Sequence, residues 1–183
     1  MKRSSLYLIK KALVYWQKKG YIIKIRNGHY YFSDIEKSEL FLLYSSNKIY
    51  APSYVSLESA LSYYSIIPEG VFTTMSISTL KTNNFITSLG KFEYKHVKSS
   101  LYFGYKLVTF QNKKIKIATI EKTMLDYIYL HVTLNHVEDF IALRWNKEVL
   151  KQIDFQLFES YQFIFNSNAL NKRVKQFLKY LYA

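Results

Sequence analysis

No cysteine occurs in the 183 residues. That excludes disulfides and thiolate metal sites and sets a reducing, cytoplasmic environment as the expectation. Proline and glycine are scarce, two and five in all, which leaves little material for long structureless linkers. No uncharged apolar stretch approaches the roughly 18 residues that a membrane span needs. The run after Lys2 and Arg3 reaches only from Leu6 to Ile9 before Lys10 and Lys11 end it, too short for a signal peptide, so no membrane partner is expected. Acids are also few: 13 Asp and Glu stand against 26 Lys and Arg, and none precedes Asp34.

What is present is cationic and aromatic. Residues 1–33 hold eight bases (Lys2, Arg3, Lys10, Lys11, Lys18, Lys19, Lys24 and Arg26), whereas residues 34–146 hold 12 bases and 10 acids. The charge excess is therefore mainly an N-terminal property. Such a front end repels itself unless a polyanion or an acidic partner answers it. The 18 Tyr and 13 Phe supply a core and argue against disorder.

Leu6, Ile9, Leu13 and Trp16 are spaced as one stripe of a helix, expected to face the core with Lys10, Lys11 and Lys18 elsewhere. Gly20 stands where a left-handed C-terminal cap belongs. Residues 21–25 and 29–32 flank Asn27-Gly28, the dipeptide favoured by a type I′ hairpin turn. A helix followed by a tight ribbon is the C-terminal half of a winged helix-turn-helix. On that reading Lys24, Arg26 and His29 lie near the ribbon tip, within reach of phosphates. A solvated helix and hairpin whose lysines only maintain solubility would carry the same pattern.

Further along, 36–44 reads as a short helix and 45–53 as a polar connection. Residues 55–64 read as a helix opened by Ser56, with a loop at Pro68-Glu69-Gly70, and 71–76 looks extended. Hairpins are expected around Leu89-Gly90 and around 111–114. From Thr119 the period is helical, at about 119–131, 136–146, 155–165 and 168–182.

Four segments carry a resemblance: "YVSLESALSYYSIIPE" (54–69), "KTNNFITSLGKFEYKHV" (81–97), "LYFGY" (101–105) and "IKIATIEKTMLDYIYL" (115–130). In that order and spacing they resemble the AbiEi family of abortive-infection antitoxins. The stretch "LVYWQKKGYIIKIRNGHYYF" (13–32) is similar to the end of the family's N-terminal winged helix, here truncated. The resemblance implies an antitoxin of a two-gene toxin–antitoxin operon. Its winged helix would bind promoter double-stranded DNA and repress that promoter, and its second domain would counter a nucleotidyltransferase-like toxin.

In bland terms most of these motif residues serve packing or turns. Ala60 and Leu61 face a core, Gly90 serves a turn, Gly104 allows a bend, and Ile117 and Ala118 end a buried strand. Lys122 and Asp126, four apart on a helix, would pair for a few tenths of a kcal/mol, and Glu121 and Asp126 are read as structural. His131 and His136, five apart, do not share a helix face for a metal. Glu138 and Asp139 are adjacent and point apart, which does not suit general acid–base work. No phosphate loop or nucleophile elbow occurs, so no enzymatic activity and no cofactor are expected. In the last helix Leu170, Val174, Phe177 and Leu181 form a stripe read as core-facing, with Lys172, Arg173, Lys175 and Lys179 in water.

The expectation is an α+β protein with a partial winged-helix element over 1–45 and a mixed antitoxin-like domain over 46–183. The second part holds a small antiparallel sheet and a helical C-terminal half. The candidate DNA contacts are Lys10, Lys11, Lys18, Lys24, Arg26 and His29, acting mostly on phosphates. The alternative is a protein-interaction module that meets an acidic surface on a toxin or on a second copy of itself.

Overall fold

A strand turns successive side chains to opposite faces, and in this chain both faces of the main sheet are covered. The computed structural model describes residues 2–68 and 70–183, with side chains from Tyr7 onward. Leu6 of the helical stripe and Glu69 of the expected loop lie outside that description. The first half runs α1 (Lys2–Lys18), β1 (Ile22–Arg26), β2 (His29–Phe32), α2 (Glu39–Ile49), β3 (Ser53–Val55) and α3 (Leu57–Tyr63). Then come β4 (Thr73–Ser78), β5 (Asn83–Thr87), β6 (Gly90–His96), β7 (Tyr105–Phe110) and β8 (Lys113–Ala118). The helical half is α4 (Ile120–Leu130), α5 (Val137–Ala142), α6 (Lys147–Leu150), α7 (Phe155–Phe165) and α8 (Asn168–Tyr182). The protein is α+β.

β1 and β2 form a two-stranded ribbon, and the other six strands form one sheet in the order β5-β6-β4-β3-β8-β7. The two expected hairpins, β5–β6 and β7–β8, are its antiparallel edges. They join through parallel pairings of β4 with β6 and of β3 with β8 around the antiparallel pair β3–β4. The sheet is thus mixed and larger than hairpin signals alone suggest. On one face Val55, Ile115 and Ile117 pack with Leu43 of α2, while Phe92 and Tyr94 pack with Phe41 and Ile49. On the other, Tyr54, Ile77 and Ala118 meet α4 and the C-terminal helices through Leu125, Ile128, Phe165 and Phe177. Helix α8 buries Leu170, Val174, Phe177 and Leu181, as its period requires. Arg173, expected in water, is also buried and donates to the Tyr129 carbonyl at 3.3 Å.

Two local expectations are corrected. The connection read over 45–53 is instead the second half of α2 followed by β3, so the boundary placed at residue 45 falls inside a continuous helix. The serines there serve burial: Ser46 is fully buried, and its hydroxyl donates to the Leu43 carbonyl at 2.8 Å. The Asn27-Gly28 turn is not type I′, since positive φ falls on Gly28 alone (82°) and a bulge interrupts the ladder between Lys24 and Arg26. Two consecutive positive-φ residues occur at Gln111 and Asn112 instead (44° and 60°) and join β7 to β8.

The Lys122–Asp126 pair, expected to contribute only a few tenths of a kcal/mol, is fully buried. The Lys122 ammonium donates to the Asp126 carboxylate and, at 2.8 Å, to the Tyr54 hydroxyl. Tyr54 Oη and Ser56 Oγ each donate to Asp126 Oδ2 at 2.9 Å. Ser56 stands at the start of α3 but makes no side-chain cap there, because its hydroxyl is used by Asp126. The rings of Tyr54, Phe103 and Phe165 surround the ammonium at 5.3, 5.1 and 4.9 Å. Burial pulls Lys122 below its ordinary pKa, and burial with the Asp126 charge pushes the Tyr54 hydroxyl well above its own. Gly104, at φ 70°, leaves the room this requires: a Cβ there would lie 3.0 Å from Lys122 Cγ and from Tyr161 Cε2.

Removing one partner of a buried pair strands the other's charge. Asp126→Ala should therefore lower unfolding free energy by about 3–5 kcal/mol in urea denaturation. The double change Lys122→Met with Asp126→Leu should lose less than Asp126→Ala alone.

Candidate nucleic-acid interface

The acid-free front end becomes a long helix, a cap and a ribbon. At the end of α1 the Tyr21 amide donates to the Trp16 carbonyl at 3.0 Å and the Gly20 amide to the Gln17 carbonyl at 3.1 Å. This is a Schellman closure, with Gly20 at φ 75°. It turns the chain directly into β1.

The ribbon is fastened to the body. Tyr31 packs with Phe41, Leu89 and Phe92, joined by the half-buried Ile23 and Ile25. Ser88 Oγ, in the β5–β6 turn, donates to the Lys24 carbonyl at 3.1 Å. Arg26 makes the strongest tie: its guanidinium donates to the Ile49 carbonyl at 2.9 Å and lies 4.4 Å from the Phe85 ring centroid. Ile49 is the last residue of α2, so Arg26 caps a carbonyl at the negative end of that helix.

The six candidate contacts therefore divide in two. Lys10, Lys11, Lys18 and Lys24 are exposed; Lys11 and Lys18, seven apart, share one helix face. Arg26 is half-buried and committed to Ile49 and Phe85. His29, paired with Arg26 across the turn, is half-buried, and burial followed by the Arg26 charge lowers its pKa. Both effects favour the neutral imidazole over its cation.

The stripe expected to face the core does not do so. Ile9 is 55% exposed and Trp16 44%, and Leu13 is only half-buried. Tyr7, Leu8, Val14 and Tyr15 are exposed as well. The cause is placement: α1 meets the rest of the protein mainly through β1, and among the described residues no other element packs extensively against it. Lys11 and Lys19 lie over the rings of Tyr7 and Tyr15 at 4.9 and 5.9 Å.

Other candidates have structural partners. Glu121 is buried and accepts the Asp154 amide at 3.2 Å. His131 stacks on Tyr127 with centroids 3.8 Å apart, and its Nε2 lies 3.7 Å from Glu58. Asp139 accepts the amides of Asn135 and His136, both at 2.8 Å, which hold its carboxyl below the usual range. Among the described residues no group of three or more His, Asp or Glu side chains is placed to hold a metal ion. In the same set no helix is long and apolar enough to cross a membrane.

Two features escaped sequence reasoning. The anchoring of Arg26 carries no local signal, because its partners lie 23 and 59 residues downstream. The convergence of Lys48 and Lys113 on Tyr44, at 5.3 and 5.0 Å, had half a signal in the Tyr44–Lys48 spacing of one helical turn. Ending the helix at Tyr44 hid it. A comparison with protein-family models and with curated proteins finds no match.

Arg26→Ala removes a cap and a cation–π contact. It should destabilise the fold by about 1–3 kcal/mol and speed amide exchange in the ribbon. Lys24→Ala should stay within about 0.5 kcal/mol of wild type, measured in the same unfolding and exchange experiments.

Proposed function

We propose that this chain is an antitoxin-type regulator acting by binding: α1 and the ribbon grip promoter duplex DNA, and the remainder counters a nucleotidyltransferase-like toxin made from the same operon. The observation that carries the reading is the set of exposed lysines Lys10, Lys11, Lys18 and Lys24 on a helix and ribbon without acids, the ribbon being fastened to the sheet. A held ribbon presents its charge without the entropy cost of ordering it on contact. Lysines read phosphate charge and release counterions, so binding is expected to be salt-sensitive and weakly sequence-selective. The antitoxin part rests on the AbiEi-like segments. These fall on α3, β5–β6, the aromatic turn before β7, and β8–α4, elements packed on the two faces of one sheet.

A second reading has its own support. The exposed Ile9 and Trp16, seven apart on one helix face beside half-buried Leu13, form an apolar surface of the kind that docks on protein, with Lys10 at its margin to meet an acidic rim. On that reading the front end is a protein-interaction element, docking on the toxin or on a second copy, and does not bind DNA.

Titration of the full chain with duplex operon-promoter DNA at several salt concentrations separates the two. The DNA reading expects log affinity to fall linearly with log salt. Changing Lys10, Lys11, Lys18 and Lys24 to Ala together should flatten that slope by about 3–4, near 0.9 for each phosphate no longer neutralised. Wild-type indifference to duplex DNA at low salt would instead select the interaction module. For the antitoxin role, co-expression with the adjacent open reading frame should rescue growth; a neighbour that is harmless alone, or still toxic beside this protein, refutes it.

A further inference from the structure

The main sheet ends in β5 on one side and β7 on the other, and the edges are built differently. β7 carries exposed Lys106, and its partner β8 adds Lys113, Lys114 and Lys116. A charged edge resists pairing with another strand. β5 is Asn83-Asn84-Phe85-Ile86-Thr87, without charge or proline, in unbroken register with β6. We propose that the open edge of β5 pairs antiparallel with β5 of a second copy of this chain, joining the two sheets across a two-fold axis at Phe85. This rests on neither reading of the front end and uses none of its residues.

Three observations carry it. The Asn84 amide donates to the side chain of its neighbour, Asn83 Oδ1, at 2.9 Å, so it faces away from β6. Ile86, two residues on, presents its backbone to the same side. Among the described residues no backbone bond outside the β6 ladder reaches Asn83–Thr87, and no element but β6 packs extensively against β5. Second, Ile86 is 88% exposed. Phe85, on the opposite face, is covered by Arg26 at 4.4 Å and the Tyr50 ring at 5.6 Å; Ile86 has no such cover.

Third, the local charge favours a neutral occupant. Asn84 and Ile86 stand opposite Glu93 and Lys91 of β6. Glu93 is already paired with Lys91 at 2.6 Å and lies 3.8 Å from Lys95. The copy's own β5 is uncharged and equal in length, and it is self-complementary. Pairing centred on Phe85 sets Asn84 against Ile86 of the second copy, so the outward N–H and C=O groups of each edge meet acceptors and donors on the other. The Ile86 side chains then lie diagonally across the axis on one face, within reach of each other. The chain's positive excess is concentrated in residues 1–33 rather than on this edge. A strand of five residues gives a small interface, so the dimer is weak and concentration-dependent.

Sedimentation of the full chain over a concentration series, at moderate and high salt, reads the association. The expected dimer grows with concentration and strengthens with salt, because screening relieves the repulsion between two cationic chains. Hydrogen exchange on the same samples should slow at the Asn84 and Ile86 amides as the dimer forms. Ile86→Lys, at an exposed position, should leave the fold intact and weaken self-association by about tenfold or more, since it sets like charges across the axis. A chain that stays monomeric throughout overturns the proposal. So does a dimer unmoved by Ile86→Lys, or one whose newly protected amides lie in α1 instead of β5. Protection of Asn84 and Ile86 only on adding the product of the adjacent open reading frame would give the edge to that protein and equally overturn self-pairing.

Discussion

Lys122 and Asp126 constrain more of this structure than any other pair. Their charges lie in the layer between the sheet and the C-terminal helices, where an unpaired ion would cost several kcal/mol. Each must therefore be answered, and the answers come from separate elements. Tyr54 is on β3, Ser56 opens α3, and Phe103 and Phe165 wall the ammonium from the loop before β7 and from α7. The network ties the centre of the sheet to α4 at a fixed depth and rotation. A purely apolar contact could slide; a buried carboxylate with three donors cannot.

From that centre the sheet extends to two hairpin edges, and the ribbon is held by one of them. Arg26 spans from the ribbon to the end of α2 and the face of Phe85, and Ser88 holds the Lys24 carbonyl. Both ties involve polar groups of the cationic segment itself, which divides its charges by duty. One cation is consumed as an anchor and a neighbouring imidazole is disfavoured as a cation, while the lysines at 10, 11, 18 and 24 remain in solvent. The ribbon's position thus depends on a residue that would otherwise count as part of a binding face.

Helix α1 stands in a different condition. Its last turn is closed by Gly20 and continues into β1, but its apolar side meets no second layer. An amphipathic helix draws most of its stability from tertiary packing rather than propensity. Exposed Ile9 and Trp16 therefore leave an apolar surface uncovered among the described residues. Under the proposed function the DNA and protein readings differ in which patch of this helix, cationic or apolar, makes the principal contact.

Local chemistry along the chain was enough to define the C-terminal end of α1, the β5–β6 and β7–β8 hairpins, the buried stripe of α8 and the segregation of positive charge. Those features depend on neighbours a few residues apart: a glycine after a periodic stripe, a turn between two runs, leucines at helical spacing. Contacts across long separations were hidden. Nothing near Lys122 announces that Tyr54 will meet it 68 residues earlier, so the pair read as a helical contact between residues four apart, worth a few tenths of a kcal/mol. Ser45 to Asn47 read as a connection because serine and asparagine favour turns, while burial against β4 and β8 kept them helical. The stripe of α1 read as core because periodicity records that a face is apolar and not whether anything covers it. Parallel pairing of β4 with β6 and of β3 with β8, the anchoring of Arg26 and the approach of Lys113 to Tyr44 were decided by the tertiary structure alone. Hydrophobic burial brings distant segments together without a local signature, and only then do charges and hydroxyls find their partners.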